Sequence, residues 1–141
     1  MAVRLRVRIE RAAAAKAPAV DTVAVANSGF EAGAPEILLP VRVAERLGLW
    51  PPPHGARAER FESPAATFSM VTVARAVRVG LATERRAGVA CDAVISERET
   101  EVVLNDRLVE ALRVELVAVG RGLYRVGPRG RLRRSDAPER W

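Results

Sequence analysis

Polar and apolar residues alternate without a break at the start of the chain. Val3, Leu5, Val7 and Ile9 point one way, while Arg4, Arg6, Arg8 and Glu10 point the other. A period of two predicts a strand with one buried face. Its charged face suits a sheet edge or a surface that meets a second copy. The Ala-rich stretch 12–18 could supply a helical turn, but Pro18 favours a connection. Residues 19–26 predict a second strand, ended by Asn27-Ser28-Gly29, with a loop over 31–36. Ile37-Leu38-Leu39 reads as a short buried strand. The period then changes. Pro40 fits a first helical position, Val43, Ala44 and Leu47 form a helical stripe, and Gly48 is the expected stop. Trp50-Pro51-Pro52-Pro53 begins a stiff surface connection.

The second half predicts strands again. Residues 56–61 and 67–81 are rich in Val, Thr and Phe, with Glu62-Ser63-Pro64-Ala65 as the tip of a hairpin between them. Gly80 is expected to bend or break the longer run. Residues 88–95 predict a buried strand, 96–100 a polar turn, and 101–104 a short apolar strand. Asn105 or Asp106 can cap a helix that turns Leu108, Val109 and Leu112 inward. Residues 114–119 and 123–126 form a hairpin across Gly120-Arg121-Gly122. The sum is a mostly-β chain with two short helices, expected to be a closed or sandwich-like β domain.

Composition narrows this further. At 141 residues the chain is one domain, and with 4% aromatics its core must be built from Val, Leu, Ile and Ala. No apolar run approaches the roughly 18 residues of a membrane span, and no signal peptide is visible. The single cysteine, Cys91, excludes an internal disulfide and fits a reducing cytoplasm. The only asparagines are Asn27 and Asn105, glutamine is absent, and Lys16 is the only lysine among the basic residues. Few thermolabile amides on a charged chain suggest a thermophile, although coding bias alone could enrich arginine. Residues 128–141 carry five arginines against Asp136 and Glu139, half of the formal +6. The expectation is a domain over 1–127 and a basic, flexible tail over 128–141. A nucleic-acid contact through that tail is an alternative role.

Few residues offer chemistry. His54, the one histidine, sits in a Pro-rich loop without a nearby nucleophile. Cys91 lies in an apolar strand and reads as a buried thiol. Neither a Cys/His cluster nor a Gly-rich phosphate loop is present, so no metal and no cofactor are expected. That leaves the turn after the second strand. Asn, Ser and Gly are ordinary turn residues, but what surrounds them is more specific. Asn27-Ser28-Gly29-Phe30, then Ile37-Leu38-Leu39-Pro40, then Ala44-Glu45-Arg46-Leu47-Gly48-Leu49, and later Val102-Val103-Leu104-Asn105 with Leu108 and Leu112, together resemble the retropepsin-like aspartic protease family in a single-domain form. The resemblance covers roughly residues 3–126 and rests on the order of the motifs. Asn27 stands where the family has its catalytic Asp, and Asn105 where glycine is usual.

The resemblance implies an acid-protease fold and a homodimer in which two copies of the turn meet. Residues 62–65 would be the flap tip. The terminal stretches 3–9 and 123–126 would be natural strands for pairing between chains. In the family two carboxylates share a proton, one form activating water and the other protonating the substrate carbonyl. Ser28 would tie the two loops together, and Gly29 would let backbone approach closely. An amide at 27 cannot act as that base, so the leading expectation is an inactive or impaired homodimer that receives an extended peptide or unfolded segment, or serves in assembly. An active endopeptidase is the alternative if position 27 is natively Asp or becomes so by deamidation. Asp21-Thr22 begins like the motif, which makes Asp21 a second candidate acid, but Val23 stands where glycine is required.

Overall fold

The opening alternation forms β1 (Val3–Arg11), with Val3, Leu5, Val7 and Ile9 at most 1% exposed. The computed structural model describes residues 2–12, 15–26, 29, 32–63 and 66–141, with only the backbone of 61–63 and 66–68. β1 pairs antiparallel with β2 (Ala19–Ala26), Leu5 opposite Ala24. Next come β3 (Glu36–Pro40), α1 (Val41–Arg46), β4 (Arg57–Ser63), β5 (Ala66–Leu81) and β6 (Val89–Ser96). β7 (Val102–Leu104), α2 (Asp106–Ala111), β8 (Val114–Ala118), β9 (Leu123–Val126) and β10 (Arg133–Arg134) complete the chain.

The sheet order β1-β2-β7-β3-β6-β5 closes on itself, because β5 also pairs with β1, Arg8 opposite Gly80. The result is a six-stranded barrel with β4 added outside β5. Closure joins β1 and β5 to each other along Val7–Arg11 and Val77–Leu81, and leaves β4 with an open outer edge among the described residues. The interior is aliphatic, as the scarcity of aromatics requires. Ile37, Leu39, Val77, Val79, Val102 and Leu104 are fully buried beside the β1 row. Burying each such side chain stabilises the fold by about 1.5–3 kcal/mol. Both helices lay their predicted apolar faces on the barrel. Val43, Ala44 and Leu47 are fully buried from the α1 segment, and Leu108 from α2. Gly48, at φ 70°, ends the first as expected.

Four expectations need correction. Gly80 does not break β5. The register shift falls between Val73 and Val77, where Arg75 adopts φ 50° and its N–H donates to the Asp92 carboxylate at 2.7 Å. The carboxylate, by claiming that N–H, takes it out of the ladder. Second, the hairpin tip is narrower than 62–65: Glu62 pairs with Thr67 and Ser63 with Ala66 within the β4–β5 ladder. Third, the terminal strands expected to pair between chains are engaged within this one. β1 lies between β2 and β5, and β9 lies between β8 and β10. Fourth, residues 128–141 do not run free. β10 joins β9, and the Asp136 N–H donates to Arg4 O at 2.9 Å. Farther on, Trp141 N–H donates to Thr100 O at 2.8 Å, and its indole packs against the core. No helix among the described residues is long and apolar enough to cross a membrane.

Candidate functional site

β2 places the turn. Its partner β7 runs parallel to it, with Ala24, Val25 and Ala26 opposite Val102, Val103 and Leu104. Parallel strands end at the same end of a sheet, so Ala26 and Leu104 close their strands side by side, with Asn105 next in the chain. β3 pairs antiparallel with β7, Ile37 opposite Leu104, so the chain re-enters the sheet at that same end. Asn27, Ser28, Phe30 and Glu31 lie outside the described residues, as do Pro64 and Ala65 of the expected flap tip. Gly29 is an exposed turn residue, and Glu62 and Ser63 are strand residues of β4.

Asn105 is the anchor of this end. It is fully buried, and its three side-chain bonds join three segments. Oδ1 accepts the Leu108 N–H at 2.9 Å, capping α2, and the Glu36 N–H at 3.0 Å. Nδ2 donates to Ala34 O at 2.8 Å. The Asn105 N–H adds a bond to Glu36 O at 3.2 Å. A buried amide with both ends satisfied fixes geometry, because leaving any of these groups unpaired is costly. Residues 34–36 are thus fastened to the start of α2. Its capping role was legible in the sequence; its hold on residues 34–36 was not, since those lie about seventy positions away in the chain.

Acids near this end divide by environment. Glu36, at the start of β3, sits beside Asp92 in the parallel β3–β6 register. Burial first, then the charges of Asp92 and Glu59, push its carboxyl above the usual range, with Arg57 opposing. Asp106 occupies the first helical position of α2, where the helix dipole favours a carboxylate; its buried Oδ1 has no hydrogen bond among the described residues. The sequence offered Asp106 only as a possible cap and placed Glu36 at the end of a loop, whereas it opens β3. Asp21 lies elsewhere, exposed on β2 and paired with Arg8 at 3.2 Å. The structure therefore gives Asp21 an ion-pair partner on the barrel wall and does not bring it to the turn.

The other reactive side chains stand apart. His54 is exposed in its loop. Cys91 is 3% exposed, and burial, with the nearby Asp92 charge, pushes its thiol up to about 12. No group of three His, Cys, Asp or Glu among the described residues could hold a metal. A groove of about 340 Å³, lined by Arg8, Glu10, Arg78, Gly80, Glu84 and Arg86, opens on the outer β1–β5 wall. β4 pairs only with β5 among the described residues, so its outer edge faces away from the barrel with unpaired backbone groups. Of the tail arginines, Arg133 is held by Glu84 at 2.8 Å and by Thr83 at 2.9 Å, while Arg129, Arg131, Arg134 and Arg140 are exposed. Comparison with known protein families and with curated proteins finds no match to this chain.

Proposed function

We propose that this chain is a retropepsin-like protein silenced at its acid position, which binds extended polypeptide without cutting it and works as a homodimer. The observation that carries the proposal is the parallel pairing of β2 with β7, which ends β2 at Ala26 opposite Leu104, the residue before the buried Asn105; in the sequence Asn27-Ser28-Gly29-Phe30 follows Ala26 directly. The β4–β5 hairpin supports it with an outer strand edge to which an extended peptide can add. Asn27 sets the chemistry. An amide matches a carboxylate in shape but offers no proton acceptor of the required basicity, so recognition survives and hydrolysis does not. In a symmetric pair both copies are lost together.

The test uses wild type and Asn27→Asp side by side. Wild type should bind a fluorescent, chemically unfolded polypeptide and leave its mass unchanged. Asn27→Asp should gain pepstatin-sensitive cleavage of that polypeptide at acid pH. A folded Asn27→Asp variant that neither binds nor cuts would refute the proposal. Cleavage by wild type, with peptide mapping that finds Asp at 27, would instead establish the active enzyme formed by deamidation.

A further inference from the structure

We infer that the small sheet β8-β9-β10 is a docking face for an anionic lipid surface. Two independent observations meet on it. The first is charge. Residues 113–134 hold seven arginines against one acid, Glu115, a surplus of six. The formal charge of the whole chain is +6, so the other residues balance and the entire excess sits on this unit. Two of the arginines are matched: Arg125 lies 3.3 Å from Glu115, and Arg133 holds Glu84 at 2.8 Å. Arg113, Arg121, Arg129, Arg131 and Arg134 are exposed and make no ion pair among the described residues.

The second observation is apolar exposure. The large hydrophobic side chains exposed among the described residues are Val117, Val119 and Leu132, at 43%, 47% and 54%, and all three belong to the same unit. The register shows how the sheet is turned. Leu116, Tyr124 and Arg133 form one row across it, and Leu116 and Tyr124 pack on the core. Side chains alternate along a strand, so Leu132 and Arg134 share the opposite face with Arg125. Val117 sits where the register slips between Leu116 and Ala118. The face is firmly mounted. Arg133 also donates to Thr83 at 2.9 Å, the Ser135 N–H donates to Gly122 O at 2.9 Å, and the Ser135 hydroxyl accepts the Arg4 N–H at 2.9 Å.

Guanidinium groups and aliphatic side chains on one unit match the two layers of an anionic membrane, with phosphates outermost and acyl chains beneath. Nucleic acid shares the charge but has no use for exposed valine and leucine. Its bases stack on aromatic rings, and the one aromatic residue of this unit, Tyr124, is buried.

The test is sedimentation of the full-length protein with vesicles of phosphatidylcholine containing about one-third phosphatidylglycerol, and with vesicles of phosphatidylcholine alone. Wild type should bind the first and not the second. Each basic residue near such a surface strengthens partitioning about fivefold, so Arg129→Gln/Arg131→Gln should weaken binding at least about tenfold. Arg42→Gln/Arg86→Gln removes the same charge from exposed positions outside this sheet and should stay within about twofold of wild type. Val117→Ser/Leu132→Ser keeps every charge and should weaken binding at least about fivefold. None of the replaced side chains makes a hydrogen bond among the described residues, so each variant keeps the fold. No binding to the anionic vesicles, or a control as weak as Arg129→Gln/Arg131→Gln, would overturn the inference. Full binding by Val117→Ser/Leu132→Ser would overturn it too, by reducing the contact to charge alone, as would a short DNA duplex that binds this protein more tightly than the vesicles do.

Discussion

Replacing Asn105 with alanine removes the helix cap and two loop ties in one step. The cap to Leu108 N is worth about 1 kcal/mol in comparable helices. The Glu36 N–H and Ala34 carbonyl would also lose their partners, at about 1–3 kcal/mol for each buried group left unpaired. Water reaching residues 34–36 would recover part of this, which leaves a net loss of about 3–5 kcal/mol. In guanidinium a slope of about 4 kcal/mol per M is ordinary for a domain of this size, so the midpoint should fall by about 1 M. Asn105→Ser keeps a capping oxygen and should recover about 1 kcal/mol, but not the ties to 34–36. Hydrogen exchange should show faster opening of 32–36 in both variants. A loss below about 1 kcal/mol at unchanged slope would show that the loop is not held as described.

Two glutamates should respond to pH with opposite signs. Glu36 titrates above its unfolded value, so its ionisation opposes folding as pH rises through that window; Glu36→Gln should gain about 0.5–1 kcal/mol near neutrality and nothing once both states are protonated. Glu101 is lowered, first by the hydrogen bond from Arg4, so its contribution is present above the unfolded value and disappears as pH falls through the folded one. Glu101→Gln should therefore lose about 1 kcal/mol near neutrality and nothing in strong acid, as urea midpoints across pH would read. Cys91, with its thiol at about 12, should resist iodoacetamide in the native protein and react once denatured; rapid native labelling would contradict its burial. A Cβ at Gly130 would run into Val126 O, so Gly130→Ala should cost about 1–3 kcal/mol and speed exchange at Arg133 and Arg134. Unchanged exchange there would show that the turn can relax.

Periodicity exposed the elements whose causes are local. β1 was legible because every second residue from Val3 to Ile9 is apolar, and α1 because Val43, Ala44 and Leu47 fall on one face before Gly48. The capping role of Asn105 was legible for the same reason, since its partner Leu108 is three residues away. Strand order was not, because β2 meets β7 through backbone pairing that leaves no trace in side-chain type. The place of the β5 irregularity was hidden too: it depends on Asp92, seventeen residues beyond Arg75. The tail misled most. Its arginines suggested a solvated end, whereas the groups that seat it are a serine hydroxyl, a backbone N–H and an indole. Each of these bonds a residue more than a hundred positions away.

The bond between Asp136 and Arg4 also sets an order of events during synthesis. The first strand leaves the ribosome early, yet the last of its backbone partners emerges more than 130 residues later. At elongation rates of about 5–20 residues per second, that bare stretch waits on the order of ten seconds. Until residues 135 and 136 emerge, the Arg4 N–H and carbonyl have only water as a partner on that side, so the start of β1 completes its bonding last although it is made first.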